Sequence, residues 1–412
     1  GACMKKRVLL LGTFDTKAAE FGFLRDELIK RGAQVVTMDV GSFRANVPFR
    51  VDYTLREMMA RETAGESAFS DRGSAVYAVS AYAKKLVSTL YERGEIDGIM
   101  GMGGGGGTSI ATIAMSGLPF GVPKLCISTL ASGDTRPFIG GKDIILIPSV
   151  VDICGLNSIS RKVISHAAAA MAGMLTDTAS TELETASITV LLSMFGNTTE
   201  AGTACMDLLK ARGAEVLVFH AVGTGGEALE DLAARGCATA VLDLTTTEWA
   251  DELCGGLYSA GTSRLDGPGK SGIPHLIIPG CIDMVNFGSM DSIPKKYRDA
   301  NRRFFPWSPQ AVLMRTNKEE NAKMGQIFAE KANQAPDTTS ILIPKDGFSA
   351  LDKAGGVFYD LEADNAFTEA LRRHISEKVP VVEVPYHINE PAFAAKAVEM
   401  LLELIAKNKF KP

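Results

Sequence analysis

The chain has 412 residues, of which 46% are hydrophobic and 22% are charged, a composition typical of a soluble globular protein. This length is too great for one ordinary hydrophobic core, so we expect two domains of roughly 150–200 residues each. The formal net charge is −5 and the basic residues are scattered, which argues against nucleic acid as the main partner.

Apolar runs and cysteines bear on the cellular compartment. The longest apolar runs, such as IILIP and LLELI, fall far short of the roughly 20 residues that a membrane span needs. No signal peptide is visible, and we expect residues 1–3, ahead of Met4, to be foreign to the fold. The seven cysteines are never spaced Cys-x-x-Cys, which disfavours structural zinc and a disulfide framework. We therefore expect a cytoplasmic protein without a membrane partner.

The sequence contains an internal repeat. The stretch LLLGTFDTKAAEFGFLRDELIKRGAQVVTMDVGS from Leu9 aligns without a gap with VLLSMFGNTTEAGTACMDLLKARGAEVLVFHAVG from Val190, at an offset of 181. Each copy predicts an apolar strand, a polar turn, an amphipathic helix ending in Arg-Gly, and a second strand. A further match relates residues 120–129 to residues 271–280, and GIMGMGGGG corresponds to AVLDLTTTE before them. We interpret the pattern as a structural duplication.

Strands that alternate with helices predict parallel sheets with right-handed crossovers. The predicted fold is therefore α/β, with two Rossmann-like, doubly wound domains of residues 4–180 and 181–412 that face each other across a cleft. The junction is predicted in the polar stretch at residues 175–187. Ligands bind such sheets beyond the carboxyl ends of the strands. The turns expected there are residues 12–17, 102–108, 128–135, 193–199, 220–227, 244–248 and 279–287.

Five consecutive glycines interrupt IMGMGGGGGTSIATIAMSG, residues 99–117, between a predicted strand and a helix predicted to begin near Thr108 or Ser109. A glycine turn here can bring backbone N–H groups against a phosphate or another anion, aided by the helix dipole. It can also allow the strand and the helix to pack tightly on a neighbouring backbone. The run lacks the lysine of a P-loop, and polyglycine matches no specific dinucleotide fingerprint.

Polar residues follow two other strands of the first half. GTFDTK supplies Thr13, Asp15 and Lys17, and STLASGDTRPF supplies Ser132 and Asp134. Hydroxyls and carboxylates of this kind suit phosphate oxygens, ribose hydroxyls or hydrated Mg²⁺. The same residue types also cap helices and form Asx turns, which is the structural alternative.

The second half offers acid–base candidates more than a recognised catalytic motif. His220 ends a predicted strand in VFHAVGTGGEALE, and Asp283 follows another in PGCIDMVNFG. Each is a candidate for proton transfer, although a histidine at a strand edge is often merely hydrogen-bonded. Glu248 in LDLTTTEWADE reads as an acidic residue near the start of a helix. No Gly-x-Ser-x-Gly elbow or His-Glu-x-x-His sequence is present.

Eight motifs occur in order between residues 12 and 321: GTFDTK, GMGGGGGTSIAT, ISTLASGDT, DICGLNSISR, VFHAVGTGGEALE, LDLTTTEWADELCGG, PGCIDMVNFG and LMRTNKEEN. Together they closely resemble the family of the ATP-binding N-terminal domain of the tomato tobamovirus-resistance protein. The resemblance covers nearly the whole chain and implies two Rossmann-like subdomains, a homodimer, and ATP with Mg²⁺ bound by the first subdomain. The motif positions that would bind ATP are Thr13, Asp15, Gly103, Gly104, Gly105, Gly106, Gly107, Thr108, Ser132 and Asp134. Asp134 and Asp15 would hold the magnesium ion.

The leading functional hypothesis is an ATP-using enzyme of small-molecule metabolism, with the nucleotide phosphates on the glycine loop at residues 103–108. A small acidic or sugar-like substrate would reach the second domain, where His220 and Asp283 would act as acid–base groups. One alternative is a non-catalytic binding module gated by a nucleotide. Another is an enzyme that acts on a phosphorylated or carboxylate metabolite without ATP.

Overall fold

The computed structural model describes residues 6–62, 72–176 and 187–409. The chain divides into two compact units, residues 1–181 and 182–412, and each is described by itself. The predicted junction at residues 175–187 falls mostly on residues 177–186, which lie outside the described residues. Within the described ranges, no helix is both long enough and apolar enough to cross a membrane.

The first unit is a six-stranded sheet in the order β3-β2-β1-β4-β5-β6, and every pair of neighbouring strands is parallel. The strands are β1 (Arg7–Gly12), β2 (Gln34–Asp39), β3 (Tyr53–Thr54), β4 (Gly98–Gly103), β5 (Lys124–Ser128) and β6 (Ile145–Pro148). The helices are α1 (Phe14–Lys30), α2 (Leu55–Glu62), α3 (Arg72–Glu92), α4 (Gly105–Met115), α5 (Arg136–Ile139) and α6 (Ser158–Thr176).

Helices cover both faces of this sheet, as its continuous apolar strands require. Val8 and Leu10 of β1 pack with α1 and α6, where Phe21 is buried. Leu9 and Leu11 point the other way and pack with α3 and α4. The period of two along β1 thus places successive side chains in two separate cores.

The second unit has a parallel sheet in the order β15-β14-β10-β9-β7-β8 and an antiparallel sheet in the order β11-β13-β12. The strands are β7 (Thr189–Met194), β8 (Glu215–His220), β9 (Ala240–Thr245), β10 (His275–Gly280), β11 (Met284–Phe287), β12 (Phe304–Ser308), β13 (Ala311–Arg315), β14 (Thr339–Pro344) and β15 (Val381–Val384). The helices are α7 (Thr199–Lys210), α8 (Thr224–Ala234), α9 (Glu248–Cys254), α10 (Gly267–Ser271), α11 (Lys295–Arg298), α12 (Lys318–Ala332), α13 (Leu361–His374) and α14 (Pro391–Lys409).

The predicted doubly wound α/β fold is confirmed, and the two units share a strand order. Strands β2-β1-β4-β5-β6 of the first sheet occupy the same successive places as β8-β7-β9-β10-β14 of the second. Adding 181 to the residue numbers of β2 gives the residue numbers of β8. Gly32 and Gly213, which follow the two Arg residues at the helix ends, have φ of 87° and 78°, a left-handed conformation that glycine adopts at helix C-termini.

The strand order locates a crevice in each sheet. The chain runs from β1 outward to β2 and β3 and then returns to place β4 on the other side of β1. The same reversal occurs at β7, which lies between β8 and β9. Connections on the two sides of such a point leave on opposite faces of the sheet, which opens a crevice at the carboxyl ends of the strands.

A buried charge network holds the middle of the second unit. Arg264 has no exposed surface, and its guanidinium bonds Asp243 at 2.6 Å, Glu248 at 2.5 Å and Glu230 at 2.9 Å. Burial alone would raise the pKa of Asp243, but the charges and hydrogen bonds of Arg264 and His275 hold this pKa well below its usual range. The network connects α8, β9 and α9, so the loops at this end of the sheet depend on one side chain.

A second buried cluster surrounds Arg315 at the end of β13. Its guanidinium lies 2.5 Å from Asp364 Oδ1 and 3.5 Å from Asp352 Oδ1. Asp283, also without exposed surface, accepts a hydrogen bond of 2.7 Å from Ser349 at Oδ2. Burial and the neighbouring Asp352 raise the pKa of Asp283 to about 7, and burial raises the pKa of Asp364 to about 8 against the attraction of Arg315.

We predict that Arg264→Ala lowers the free energy of unfolding by about 3–5 kcal/mol, because it leaves three buried carboxylates without their cation. Urea unfolding monitored by circular dichroism measures the change. Arg373→Ala is the matched control, because Arg373 is an exposed arginine of the same unit whose removal costs about 0.5 kcal/mol or less. Equal effects of the two substitutions would contradict the role of the buried network.

The Asp283 pKa predicts a pH dependence of stability. Since this pKa is about 7 in the folded chain and about 4 in an unfolded one, the folded state binds more protons between these values. Its contribution to stability therefore falls as pH rises from about 4 to about 7. Asp283→Asn removes the ionisable group. As pH rises from 5 to 8, the free energy of unfolding of this variant should therefore increase by about 2 kcal/mol relative to that of the parent. Asp299→Asn, which replaces an exposed carboxylate, should show no such increase in the free energy of unfolding. A pH-independent difference for Asp283→Asn would contradict the assignment.

Candidate functional site

A cavity of about 360 Å³ opens in the first unit at the carboxyl ends of β1, β2 and β4. It lies at the reversal point of the sheet, where ligands of this fold bind. Polar groups and glycine backbone form one part of its wall, and apolar side chains form another. The lining residues are Thr13, Asp15, Thr16, Lys17, Val40, Ser42, Phe43, Val76, Val79, Gly104, Gly105, Gly106, Gly107 and Ile110.

The glycine run serves two purposes at different residues. A Cβ on Gly101 would lie 2.5 Å from Ala111 Cβ, and one on Gly103 would lie 2.8 Å from Gly107 Cα. These two glycines let α4 pack directly on β4. Gly105 and Gly106 are different, since a Cβ on Gly105 would come no closer than 4.0 Å to another heavy atom and one on Gly106 would meet none within 4 Å. Their missing side chains leave room in the cavity.

Helix α4 begins at Gly105, so the prediction of a helix start near Thr108 is wrong by three residues. Because Gly104 alone joins the strand to the helix, Gly105, Gly106 and Gly107 form the first helical turn. The N–H groups of a first turn have no acceptor within their own helix. At the positive end of the helix dipole, they form a group of donors suited to an anion.

Two of the predicted binding residues, Thr108 and Gly103, have structural roles instead. Thr108 has no exposed surface, and its Oγ1 lies 2.6 Å from Ser128 Oγ and 3.2 Å from the Gly103 carbonyl oxygen. The first contact joins α4 to β5, and the second joins it to β4. Gly103 is buried against Gly107. Neither lines the cavity, because the early helix start turns both into the packed interior.

Asp15 and Lys17 are the charged side chains at the cavity wall. Asp15 Oδ2 accepts a hydrogen bond of 3.0 Å from the amide of Phe43. Its Oδ1 is buried against Gly41 and meets no donor among the described residues. Lys17 Nζ donates to the carbonyl of Ile153 at 2.7 Å, which fixes the ammonium beside the cavity and leaves it two further protons. Among the described residues, the wall thus offers one carboxylate and one anchored cation.

Ser132 and Asp134 do not line this cavity. Both are exposed in the turn between β5 and α5, where Asp134 accepts a 3.2 Å hydrogen bond from the Arg136 amide. The structure therefore does not bring Asp134 and Asp15, the two predicted magnesium ligands, together at the cavity. Across the described residues, no group of three or more His, Cys, Asp or Glu side chains is placed to hold a metal ion.

The segment after β2, which was not among the turns expected at the site, supplies Val40, Ser42 and Phe43 to the wall. Asp39 closes this strand, is buried, and accepts hydrogen bonds at Oδ1 from the amides of Phe14 and Gly41. Burial raises the pKa of Asp39. The signal was present in VTMDVGS, because the carboxyl end of the second strand lies beside that of the first.

In the second unit, the structure separates the two acid–base candidates. His220 is exposed at the end of β8 and lines a cavity of about 230 Å³ with Phe195, Tyr258 and Trp307 among others. Asp283 is fully buried beside Ser349 and is not part of that cavity. The two residues are therefore not brought together at one site.

The counterpart of the glycine turn in the second unit is filled by the chain itself. After β9 come Thr246, Thr247 and Glu248, all buried. Glu248 Oε1 accepts hydrogen bonds from the amides of Gly223 at 3.0 Å and Gly226 at 2.9 Å, at the start of α8. Its carboxylate occupies the position that an anionic ligand could otherwise take.

A third cavity, of about 640 Å³, lies at the carboxyl ends of β14 and β15 and includes Lys353 and His387. Both ring nitrogens of His387 are engaged. Nδ1 accepts a 3.2 Å hydrogen bond from the Asn389 amide, so Nε2 donates to the Ser349 carbonyl at 2.8 Å. This histidine holds two loops together.

Comparisons with known proteins agree over nearly the whole chain. The N-terminal domain model of an uncharacterised protein family, UPF0261, matches residues 6–180, and its C-terminal domain model matches residues 187–405. A UPF0261 protein of Clostridium tetani is 40% identical over 411 residues, which cover 98% of this chain and 100% of that protein.

The ToMV resistance protein Tm-1(GCR237) of Solanum lycopersicum is 38% identical and covers 98% of this chain, whereas the chain spans 56% of the tomato protein. Among solved structures, UDP-N-acetylglucosamine 2-epimerase from Rickettsia bellii covers 98% of this chain and 96% of its own at 12% identity and a TM-score of 0.24, a likeness too weak to carry an argument. The resemblance to the tomato resistance family is confirmed, and the chain belongs to the uncharacterised protein family UPF0261.

Proposed function

We propose that the first unit binds ATP in the cavity between β1, β2 and β4, with the phosphates on the first turn of α4. The observation that carries the proposal is the open space at Gly105 and Gly106. No packing inside the unit requires glycine at these two positions, whereas Gly101 and Gly103 are required by the contact of α4 with β4. Room for an external ligand would account for glycine at residues 105 and 106.

The phosphate end of the ligand would meet backbone donors and one cation. The amides of Gly105, Gly106 and Gly107 supply N–H groups at the positive end of an eleven-residue helix. Lys17, anchored to Ile153, adds positive charge at the same wall. Thr13 and Thr16, whose Oγ1 atoms lie 3.1 Å apart, add hydroxyl groups. Together these groups suit a polyphosphate better than an uncharged ligand.

The other end of the cavity suits a base. Val40, Val76, Val79 and Ile110 form an apolar wall, and the Phe43 ring is largely exposed beside them. A cavity of about 360 Å³ falls within the range of small-molecule sites, which are about 300–1,000 Å³. A charged rim and an apolar wall in one cavity match the two ends of a nucleotide.

A magnesium ion bound with the nucleotide would have one protein ligand at this site. Asp15 is the one carboxylate among the described residues that line the cavity. Magnesium is commonly held by one or two carboxylates together with substrate phosphates and water, so Asp15 with the phosphates of ATP is a suitable set. The bound ion would neutralise phosphate charge, while Lys17 and the glycine amides orient the phosphates.

The proposal includes use of ATP by an enzyme of small-molecule metabolism, since positioning and charge neutralisation are what phosphoryl transfer needs most.

A cytoplasmic homodimer is part of the same proposal. The six cysteines that the structure describes are all free, which favours a reducing compartment. The dimer rests on the family resemblance, and sedimentation velocity measures it.

We predict that Gly105→Val removes the rise in melting temperature that Mg-ATP gives the parent, and weakens ATP binding by about tenfold or more in calorimetry. The valine side chain has room to fold without a clash but occupies space in the cavity. Gly173→Val is the matched control, because Gly173 is exposed in α6 with no heavy atom near its Cβ position. This control should bind Mg-ATP like the parent.

The same samples separate the other hypotheses. Consumption of ATP that increases when a metabolite is added supports an ATP-using enzyme. Saturable ATP binding without turnover indicates a nucleotide-gated module. Stabilisation by a phosphorylated or carboxylate metabolite but not by Mg-ATP would contradict the proposal and indicate an enzyme that works without ATP. Equal ATP affinity in Gly105→Val and the parent would contradict the placement of the phosphates.

A further inference from the structure

We propose that the second unit contains an independent binding site for an uncharged aromatic ring, in the cavity of about 230 Å³ beside β7 and β8. Aromatic side chains supply most of the large groups in its wall. The lining residues are Phe195, Gly196, Asn197, His220, Val222, Tyr258, Asn286, Phe287, Trp307, Ala311 and Leu313. This site does not depend on the nucleotide site proposed for the first unit.

The cavity occupies the place in the second repeat that the cavity of about 360 Å³ occupies in the first. It lies beyond β7 and β8, the counterparts of β1 and β2. At the offset of 181, Gly196 replaces Asp15 and His220 replaces Asp39. The turn after β9 is closed by Glu248 instead of being open like the glycine turn. The second unit thus keeps a ligand-sized space at this edge without the anion-binding features.

The residue types at the wall bear on the charge of the ligand. Among the described residues, those that line this cavity include no Asp, Glu, Lys or Arg side chain. A charged ligand buried here would lose its hydration without an oppositely charged partner, which is costly. The occupant inferred from this wall is therefore uncharged.

Two of the polar side chains at the wall are engaged inside the protein. Asn197 Nδ2 contacts Met284 Sδ at 3.4 Å, and Asn286 Nδ2 donates to Asp251 Oδ2 at 3.0 Å. The other polar side chains at the wall are the rings of His220, Tyr258 and Trp307. A ligand here therefore meets aromatic rings with polar edges.

Ring geometry favours a flat occupant. The Phe195 ring centroid lies 5.6 Å from that of His220 and 6.4 Å from that of Tyr258, with the rings tilted at 43° and 66°. Such offset arrangements leave ring faces and edges against which another ring can pack. An apolar cavity of about 150 Å³ is large enough for benzene, so this one accommodates a substituted or fused ring.

Tryptophan provides a local reporter of occupancy. The chain has two tryptophans, and Trp307 lines the cavity with 62% of its surface exposed. Trp249 is buried and donates its Nε1–H to the Arg264 carbonyl. In protein labelled with 5-fluorotryptophan, fluorine NMR gives one signal at the site and one reference inside the fold. Trp307→Phe assigns the two signals.

The test titrates labelled protein with benzamide, which is neutral, and with benzoate, benzylammonium and glucose. Benzamide should shift the Trp307 signal saturably and leave the Trp249 signal in place, and the other three probes should bind at least about tenfold more weakly. Phe195→Ala and His220→Ala should each weaken benzamide binding by about tenfold. Phe120→Ala, which removes an exposed ring of the first unit, should not.

The Trp249 signal shows whether each variant is folded, so loss of binding is distinguished from loss of structure. Three results would overturn the proposal: no saturable shift with benzamide at millimolar concentration, equal or tighter binding of benzoate, benzylammonium or glucose, or equal benzamide binding by folded Phe195→Ala, folded His220→Ala and the parent. Tighter binding of benzylammonium would identify a cation site instead.

Discussion

The close approach of α4 to β4 is the constraint on which the proposed nucleotide site depends. With a Cβ at residue 101 or 103, the helix could not lie where it does. Because it does lie there, one residue joins the strand to the helix, and the first helical turn is aimed at the reversal point of the sheet. Glycines needed for packing and glycines that leave room for a ligand therefore follow each other in one short run.

The two units show how one strand order can support different sites. In the first unit, the turn after β4 is open, and the N–H groups of Gly105, Gly106 and Gly107 have no acceptor within their own helix. In the second, the equivalent turn is buried, and Glu248 bonds the start of α8 while Arg264 bonds Glu248. The second unit therefore uses its charge for internal packing, and the space beside β7 and β8 is lined by aromatic rings instead.

The fold was predictable because the repeat and the apolar strands are local signals. The alignment at one offset placed β2 and β8 correctly, and the glycine loop was correctly placed beyond a strand of the first sheet. The helix start was missed because a run of glycines is a poor helix former, and its helical conformation here depends on the packing of Gly103 against Gly107.

The details of the sites depended on long-range contacts that no short motif contains. Thr108 was expected to face a ligand, but its hydroxyl bonds Ser128, which is 20 residues away. The burial of Asp283 depends on Ser349, 66 residues further along the chain. Phe43 reaches the cavity because β2 ends beside β1, a placement that follows from sheet order and not from the sequence around Phe43.

The most direct test of the account follows the glycine amides themselves. In protein labelled with ¹⁵N-glycine, the signals of Gly105, Gly106 and Gly107 are assigned by single Gly→Ala substitutions and followed during titration with Mg-ATP and with adenosine. The account predicts that Mg-ATP shifts all three signals saturably, that adenosine, which lacks phosphates, does not reproduce these shifts, and that Gly196 in the second unit stays in place. Saturable ATP binding that shifts Gly196, or other glycines, while Gly105–Gly107 do not move would contradict it.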